Sequence, residues 1–367
     1  MNVGLFSPYI GEHMGGGERY LLTIAEHLSV NRDCQVELIY SADCRIDNYL
    51  DNIQLYESKF GLNLAKIRGR RGPFSPRYSA WDRYRFTRSY DAFLFFTDGS
   101  MFFAGSARNI LHIQVPLSTL SFSLIDRLKL KSWQVRVANS YFTKRQVERW
   151  WRTRVDYVHW GAVNADDFKP GKKRNLILHV GRFFKGLHCK RQDVLVEMFK
   201  KLVNQGLKNW RLVLVGTVDP GAESRQYAEA VSRSAAGYPI EIKYETSLRQ
   251  LKEWYASAKI YWHATGYGID EELHPELVEH LGLSTVEAMS AGAVPVVISK
   301  GGQSEIVSDG VNGFLWENEV DVRKKTLRLV TDDKLWVTMS RQAQLRAKDF
   351  SKDKFQQMTD KIFNINF

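Results

Sequence analysis

Cysteine is scarce in this chain. Cys34, Cys44 and Cys189 are the only three among 367 residues. A scattered, odd-numbered set offers neither a disulfide framework nor metal-ligand spacing, and it fits a reducing compartment. Long apolar runs are missing too: AFLFF and MFFAG fall far short of the ~20 residues that a membrane-spanning helix needs. The opening MNVGLFSPYIG goes straight into strand-like sequence, without the basic start and apolar core of a secretory signal. The expectation is a soluble cytoplasmic protein, with any membrane association peripheral, at the inner face. D-x-D, H-E-x-x-H and G-x-S-x-G do not occur, nor do the dinucleotide fingerprint and the phosphate loop G-x-x-x-x-G-K-[ST]. Nine histidines show no spacing that proposes a metal site, and His179 and His263, inside strand-like runs, read as packed residues. Neither a bound metal nor a cofactor is indicated. There is no short-period repeat and no low-complexity tract.

What is present is ordinary in bulk and uneven in charge. Apolar residues make up 44% and charged residues 25%, as in a soluble globular protein. The length favours two domains. The formal net charge of +11 is concentrated. Lys66 to Arg88, KIRGRRGPFSPRYSAWDRYRFTR, holds eight basic residues against one acid, interleaved with aromatics. A second basic run extends from Arg127 to Arg154. Such runs suit nucleic acid, anionic lipid headgroups, phosphorylated substrates, or simply a solvated face.

Strand-like and helix-like runs alternate throughout. NVGLF, QVELIY, AFLFF, NILHI, QVRVA and VDYVH are the strands of the first half. LILHV, RLVLV, IEIKY, KIYWHA, VPVVI and GFLW are those of the second. Amphipathic segments such as RYLLTIAEHL, RQDVLVEMFKKLV and LRQLKEWYASA separate them. This is the pattern of parallel sheets covered by helices on both faces, an α/β class of two doubly wound domains. The polar stretch NADDFKPGKKRN divides them into roughly 1–165 and 172–345. A closing helix within 346–367, FSKDKFQQMTDKIF, is expected to return to the first domain. Ligands of such sheets collect at the carboxyl ends of the strands, and a cleft between the two domains is the expected site.

Three loops have the residues for anion chemistry. Gly15, Gly16 and Gly17 precede a helix, which suits backbone amides near a phosphate, though a bare glycine turn fits equally. After LILHV come Arg182, Lys185, Lys190 and Arg191, cations placed for a diphosphate or a solvated loop. EHLGLSTVEAMSAG, from Glu279 to Gly292, sets two carboxylates eight positions apart. Glu279 reads as a loop residue and Glu287 as a member of the following helix, with Ser284 and Thr285 as cap-type residues.

Glu279-x7-Glu287, followed by AMSAGAVPVV and GGQSEIVSDGVNGFLW, resembles the C-terminal signature of the GT-B glycosyltransferases of the large retaining family GT4. VDYVHWGAVNADDFKP is similar to that family's interdomain passage, LILHVGRFF with KRQD to its Arg/Lys loop, and GGGER to its N-terminal glycine loop. EHLGLSTVEAM and GGGER lean toward the mannosyltransferases that act on lipid-linked oligosaccharides. The resemblance implies two Rossmann-like domains of the GT-B fold and transfer of a hexose, with retention, from a UDP- or GDP-linked sugar to a glycan or lipid-linked acceptor, without metal. Glu287 would bind the donor ribose, and Glu279 would face the donor sugar as a catalytic group. Arg182 and Lys190 would neutralise the leaving diphosphate, helped by the amides near Leu283 and Ser284. Gly15, Gly16 and Gly17 would approach the phosphates or the sugar, and His112 matches a histidine of the acceptor-side domain. Lys190 lies eight residues after Arg182, wider than the family's usual spacing, so Lys185 competes for its role. TGYGIDEELHPELVEH is longer and more acidic than usual; Asp270, Glu271, Glu272 and Glu276 read as a solvated loop, one of which could touch an acceptor. Arg68, Arg70, Arg71 and Trp81, with Phe74, Tyr78 and Tyr84, are assigned to an acidic or lipid-linked acceptor or an anionic membrane surface. A nucleotide-sugar epimerase of the same architecture and a nucleic-acid-binding protein are the alternative readings; no nucleic acid is expected on the main one.

Overall fold

Parallel pairing places thirteen strands, among the described residues, in two separate sheets. The computed structural model describes residues 1–11, 15–46, 48–120 and 122–365. The first sheet comprises β1 (Asn2–Phe6), β2 (Gln35–Ser41), β3 (Arg68–Gly72), β4 (Ala92–Thr97), β5 (Arg108–Ile113), β6 (Val135–Ala138) and β7 (Tyr157–Val158). The second comprises β8 (Arg174–Val180), β9 (Arg211–Val215), β10 (Ile240–Lys243), β11 (Ala258–His263), β12 (Val294–Ile298) and β13 (Phe314–Trp316). The orders are β3-β2-β1-β4-β5-β6-β7 and β10-β9-β8-β11-β12-β13. Both are doubly wound, reversing direction between β1 and β4 and between β8 and β11. The expected α/β class with two Rossmann-like sheets is what the chain forms.

Central strands are apolar almost throughout because helices cover both faces of a parallel sheet. Ala92 to Phe96 of β4 and all of β12 are buried. The strand RGRRG, β3, is the one that hydrophobic pattern does not reveal. It lies at the sheet edge, pairs through its backbone with β2 alone, and leaves all three arginines exposed. Charge on an edge strand also discourages pairing with another chain.

The chain divides into two compact units, Met1–Gly161 with Asp353–Phe367, and Ala162–Lys352. The polar passage near residue 167 belongs to the second unit: Lys252 Nζ donates to Asp167 at 2.7 Å and the Gly171 amide to the Ala256 carbonyl at 3.1 Å. The closing helix, Lys352–Phe363, is held on the first unit by buried polar contacts. Asp360 accepts from Arg32 Nε at 2.8 Å and faces His27 Nε2 at 2.9 Å, and Arg108 Nε donates to the Ile362 carbonyl at 2.6 Å.

Candidate functional site

In the second unit the strand order reverses between β8 and β11, which opens a crevice beyond their carboxyl ends. Gly181 follows β8, and its amide donates to the Val215 carbonyl of β9 at 2.9 Å. A Cβ on Gly216 would lie 2.0 Å from the Gly181 carbonyl oxygen, so backbone crosses backbone here and no side chain fits. The aliphatic stem of Lys190 covers Gly181 from the other side, 2.8 Å from where its Cβ would be. The ammonium of Lys190 is thereby carried over the strand ends.

Glu279 meets it there. Its Oε2 lies 2.5 Å from Lys190 Nζ and 3.2 Å from His263 Nε2, the last residue of β11. Thr265 Oγ1 is 3.2 Å from the same imidazole nitrogen. Burial raises the carboxyl pKa, but the Lys190 charge and the His263 hydrogen bond outweigh it and hold Glu279 well below the usual carboxylate range. Burial pushes the His263 pKa down, so a neutral ring donates from Nε2. Three further imidazoles crowd the crevice. His179 faces the Trp262 carbonyl at 2.9 Å, His188 the Val278 carbonyl at 3.2 Å, and His280 the Pro275 carbonyl at 3.1 Å. Burial brings His179 down to about 3 and His188 to about 4. The charge at this point is a carboxylate balanced by a lysine.

The backbone of Glu279 is fixed by the glycine pair after β12. Gly302 donates to the Glu279 carbonyl at 2.8 Å. Gly301 has φ +58°, and a Cβ there would come within 2.1 Å of that carbonyl oxygen. The helix Leu283–Ser290 follows, entered through Gly282 at φ 96°. Ser284 and Thr285 do not cap it. Ser284 Oγ accepts from the Tyr261 hydroxyl at 2.8 Å, and Thr285 Oγ1 donates to Gln303 at 2.9 Å. The opening amides, those of Leu283 and Ser284, have no preceding turn to bond, as at any helix start. Glu287 is buried one turn on, its Oε2 accepting from the Tyr255 hydroxyl at 2.9 Å.

Of the two competing lysines, Lys190 is the one against Glu279. Lys185 Nζ lies over the Tyr227 ring, 5.4 Å from its centroid. Arg182 is 61% exposed, 3.8 Å from Asp219, with its guanidinium over Phe184. The acidic loop is less solvated than its composition suggests. Glu271 Oε2 accepts from the Gly301 amide at 2.6 Å, and Glu276 is buried with a carboxylate oxygen 3.5 Å from His274 Nδ1. Reading His263 as packing alone missed its bond to Glu279; its place as the last residue of a strand, at the ligand end of the sheet, was the available signal.

The remaining assigned residues lie in the first unit. Gly15 precedes the helix Gly16–Glu26, and its amide donates to Glu18 Oε2 at 2.7 Å; Glu12, His13 and Met14 of the glycine loop lie outside the described residues. Gly17 leaves room for Gln114, whose Oε1 would be 3.0 Å from a Cβ. His112 is enclosed: it stacks on Phe96 with centroids 4.1 Å apart, and its Nε2 meets the Tyr20 hydroxyl at 3.0 Å. Burial holds its pKa well below the ordinary value. The basic stretch 66–88 is not a uniform acceptor face. Arg70 donates to Glu37 at 3.1 Å and Arg71 to the Tyr49 hydroxyl at 2.9 Å, so both serve the fold. Phe74 is buried, stacked on Phe6 at 4.0 Å. Arg68 and Trp81 remain exposed. Among the described residues no helix is long and apolar enough to cross a membrane, and no group of three His, Cys, Asp or Glu could hold a metal ion.

Known proteins share both the fold and the sequence of this unit. The chain is similar over its full length to Anabaena HepE, crystallised with UDP and glucose (TM-score 0.69, 15% identity, covering 100% of this chain and 99% of that one). It is similar to a glycosyltransferase from Rickettsia africae (TM-score 0.72, 14% identity, 100% and 99%). Sucrose-phosphate synthase from Thermosynechococcus elongatus gives a TM-score of 0.69 at 14% identity, covering 99% and 98%. At such identities the likeness is one of fold, the GT-B fold. A stretch of 126 residues is 28% identical to glycogen synthase of Chlamydia muridarum; it spans 34% of this chain and only 24% of that protein. Residues 163–346, half of the chain and all of the crevice just described, match the family of glycosyl transferases group 1. The chain belongs to that family.

Proposed function

We propose that this protein is a retaining glycosyltransferase that moves a hexose from a UDP- or GDP-linked sugar to a glycan or lipid-linked acceptor without a metal ion. The observation that carries the reading is Glu279, a carboxylate kept ionised at the ligand end of the second sheet by Lys190 and His263. A fixed negative charge there is placed to hold donor-sugar hydroxyls and to stabilise positive charge developing at the anomeric carbon. The leaving diphosphate needs cations and amides. Lys190, the exposed Arg182, and the helix start at Leu283 and Ser284 would supply them. Glu287, with two acceptor oxygens and one of them on Tyr255, would take the ribose hydroxyls. Family membership and the UDP-containing crystals of HepE support a nucleotide-sugar donor. The mannosyltransferase lean rests on sequence resemblance alone.

The first test is a thermal-shift screen with UDP, GDP and their sugars. Ligand at ~100 times its dissociation constant should add about 2.7 kcal/mol of stability. With the donor known, proton NMR of the product gives the anomeric configuration. Inversion, or no stabilisation by any of these nucleotides, would overturn the proposal.

A further inference from the structure

The first unit carries a helix with two apolar faces, only one of which the fold uses. Leu124–Ser132 begins at Ser123, whose hydroxyl and amide are closed in a capping box with Asp126. Leu130 points inward and is buried in the cluster that contains Trp133 and Phe102. On the other side Leu124 is 82% exposed, Ile125 59% and Leu128 55%. Their spacing, i, i+1 and i+4, makes them one continuous stripe. Arg127 and Lys131, both exposed, border that stripe. The helix's one acid is neutralised: Asp126 accepts from Ser123 and from Lys129 Nζ at 3.0 Å.

A second helix, Ala80–Thr87, approaches it at one end. Both border the turn at Ala104 and Gly105: Ser132 Oγ accepts from the Ala104 amide at 3.1 Å, and a Cβ on Gly105 would be 2.6 Å from the Tyr84 carbonyl oxygen. This helix presents Trp81, 60% exposed and stacked on Tyr84, together with Arg85 and Arg88. Apolar side chains bordered by long cationic ones are the composition of surfaces that settle between lipid headgroups and acyl chains. Scattered exposed apolar residues are common on soluble proteins, whereas contiguous exposed apolar surface rimmed by polar residues marks interaction sites.

We propose that the stripe of Leu124, Ile125 and Leu128, bordered by Arg127 and Lys131, docks on an anionic lipid bilayer. The charge decides the occupant: the chain carries +11 overall, and the acid of this helix is already paired. Apolar insertion and headgroup attraction would act together, neither sufficing alone. This moves the membrane contact from the arginines of β3, two of which are tied into the fold, to the helix Leu124–Ser132. It extends the acceptor side of the proposed function but does not depend on it, because the experiment measures binding and not transfer.

The experiment is flotation of the full chain with vesicles of phosphatidylcholine alone and of phosphatidylcholine mixed with an equal amount of phosphatidylglycerol. The wild type is expected to float with the anionic vesicles only. Leu124→Ser, Ile125→Ser and Leu128→Ser made together should reduce partitioning at least roughly tenfold, and Arg127→Gln with Lys131→Gln should reduce it several-fold. All five side chains are exposed, so unchanged melting curves are expected and verify folding. Failure of the wild type to float at low salt, or equal flotation of the triple variant, would overturn the proposal. So would a wild-type dimer in sedimentation velocity that the triple variant disperses, because the stripe would then be covered by a second copy.

Discussion

Replacing Lys190 by methionine keeps the aliphatic stem over Gly181 and removes only the charge 2.5 Å from Glu279. The pair is about one-fifth exposed on each side, 21% for the lysine and 18% for the glutamate. Deleting one member of a buried ion pair costs about 3–5 kcal/mol. Partial exposure and the remaining His263 contact bring the expectation to about 2–3 kcal/mol at neutral pH. For a chain of 367 residues that is a fall in melting temperature of roughly 3–4 °C. The pH dependence distinguishes charge from packing. In the wild type the folded-state pKa of Glu279 is depressed. Its contribution is therefore complete above the unfolded value of about 4.3 and lost as pH falls through the native one. In Lys190→Met burial is opposed by His263 alone, so the folded pKa rises and the stabilisation is absent at neutral pH. The deficit of the variant should be largest above pH 7 and shrink steadily toward pH 4. Calorimetric melts of both proteins across that range are the assay. A deficit that is the same at pH 7.5 and 4.5, or no deficit, would refute the account of how this carboxylate is held.

Three further outcomes are expected. Glu287→Gln should weaken nucleotide binding by about 1.5–3 kcal/mol in calorimetry, with Tyr255→Phe as the control for the lost hydroxyl contact; unchanged affinity in a folded variant would remove Glu287 from the donor site. Glycosyl transfer should persist in EDTA, on the strength of Lys190, Arg182 and the helix start at Leu283; activity that vanishes with chelator and returns with magnesium or manganese would show that these groups do not suffice. Gly216→Ala should lose more than about 2 kcal/mol of stability, because its Cβ would lie 2.0 Å from the Gly181 carbonyl oxygen; a wild-type melting temperature would contradict the close approach.

The alternation of strand-like and helix-like runs, together with uninterrupted apolar strands such as VPVVI, was enough to specify two parallel, helix-covered sheets, since burial on both faces leaves no polar positions. Loop glycines beside cations and the paired glutamates are also legible in the sequence as loop and helix-start residues of the second sheet. β3 was not legible, because an edge strand has no second neighbour to satisfy and few side chains to bury, so RGRRG reads as a charged patch. Nor could spacing alone rank Lys185 against Lys190, or distinguish a packed His263 from one bonded to Glu279. Those depend on which groups the strand order carries to one crevice, a matter of pairing between β8 and β11 across 77 or more intervening residues. The same holds for the basic stretch: composition supplies eight cations, and only tertiary contacts with Glu37 and Tyr49 reveal which of them are already engaged.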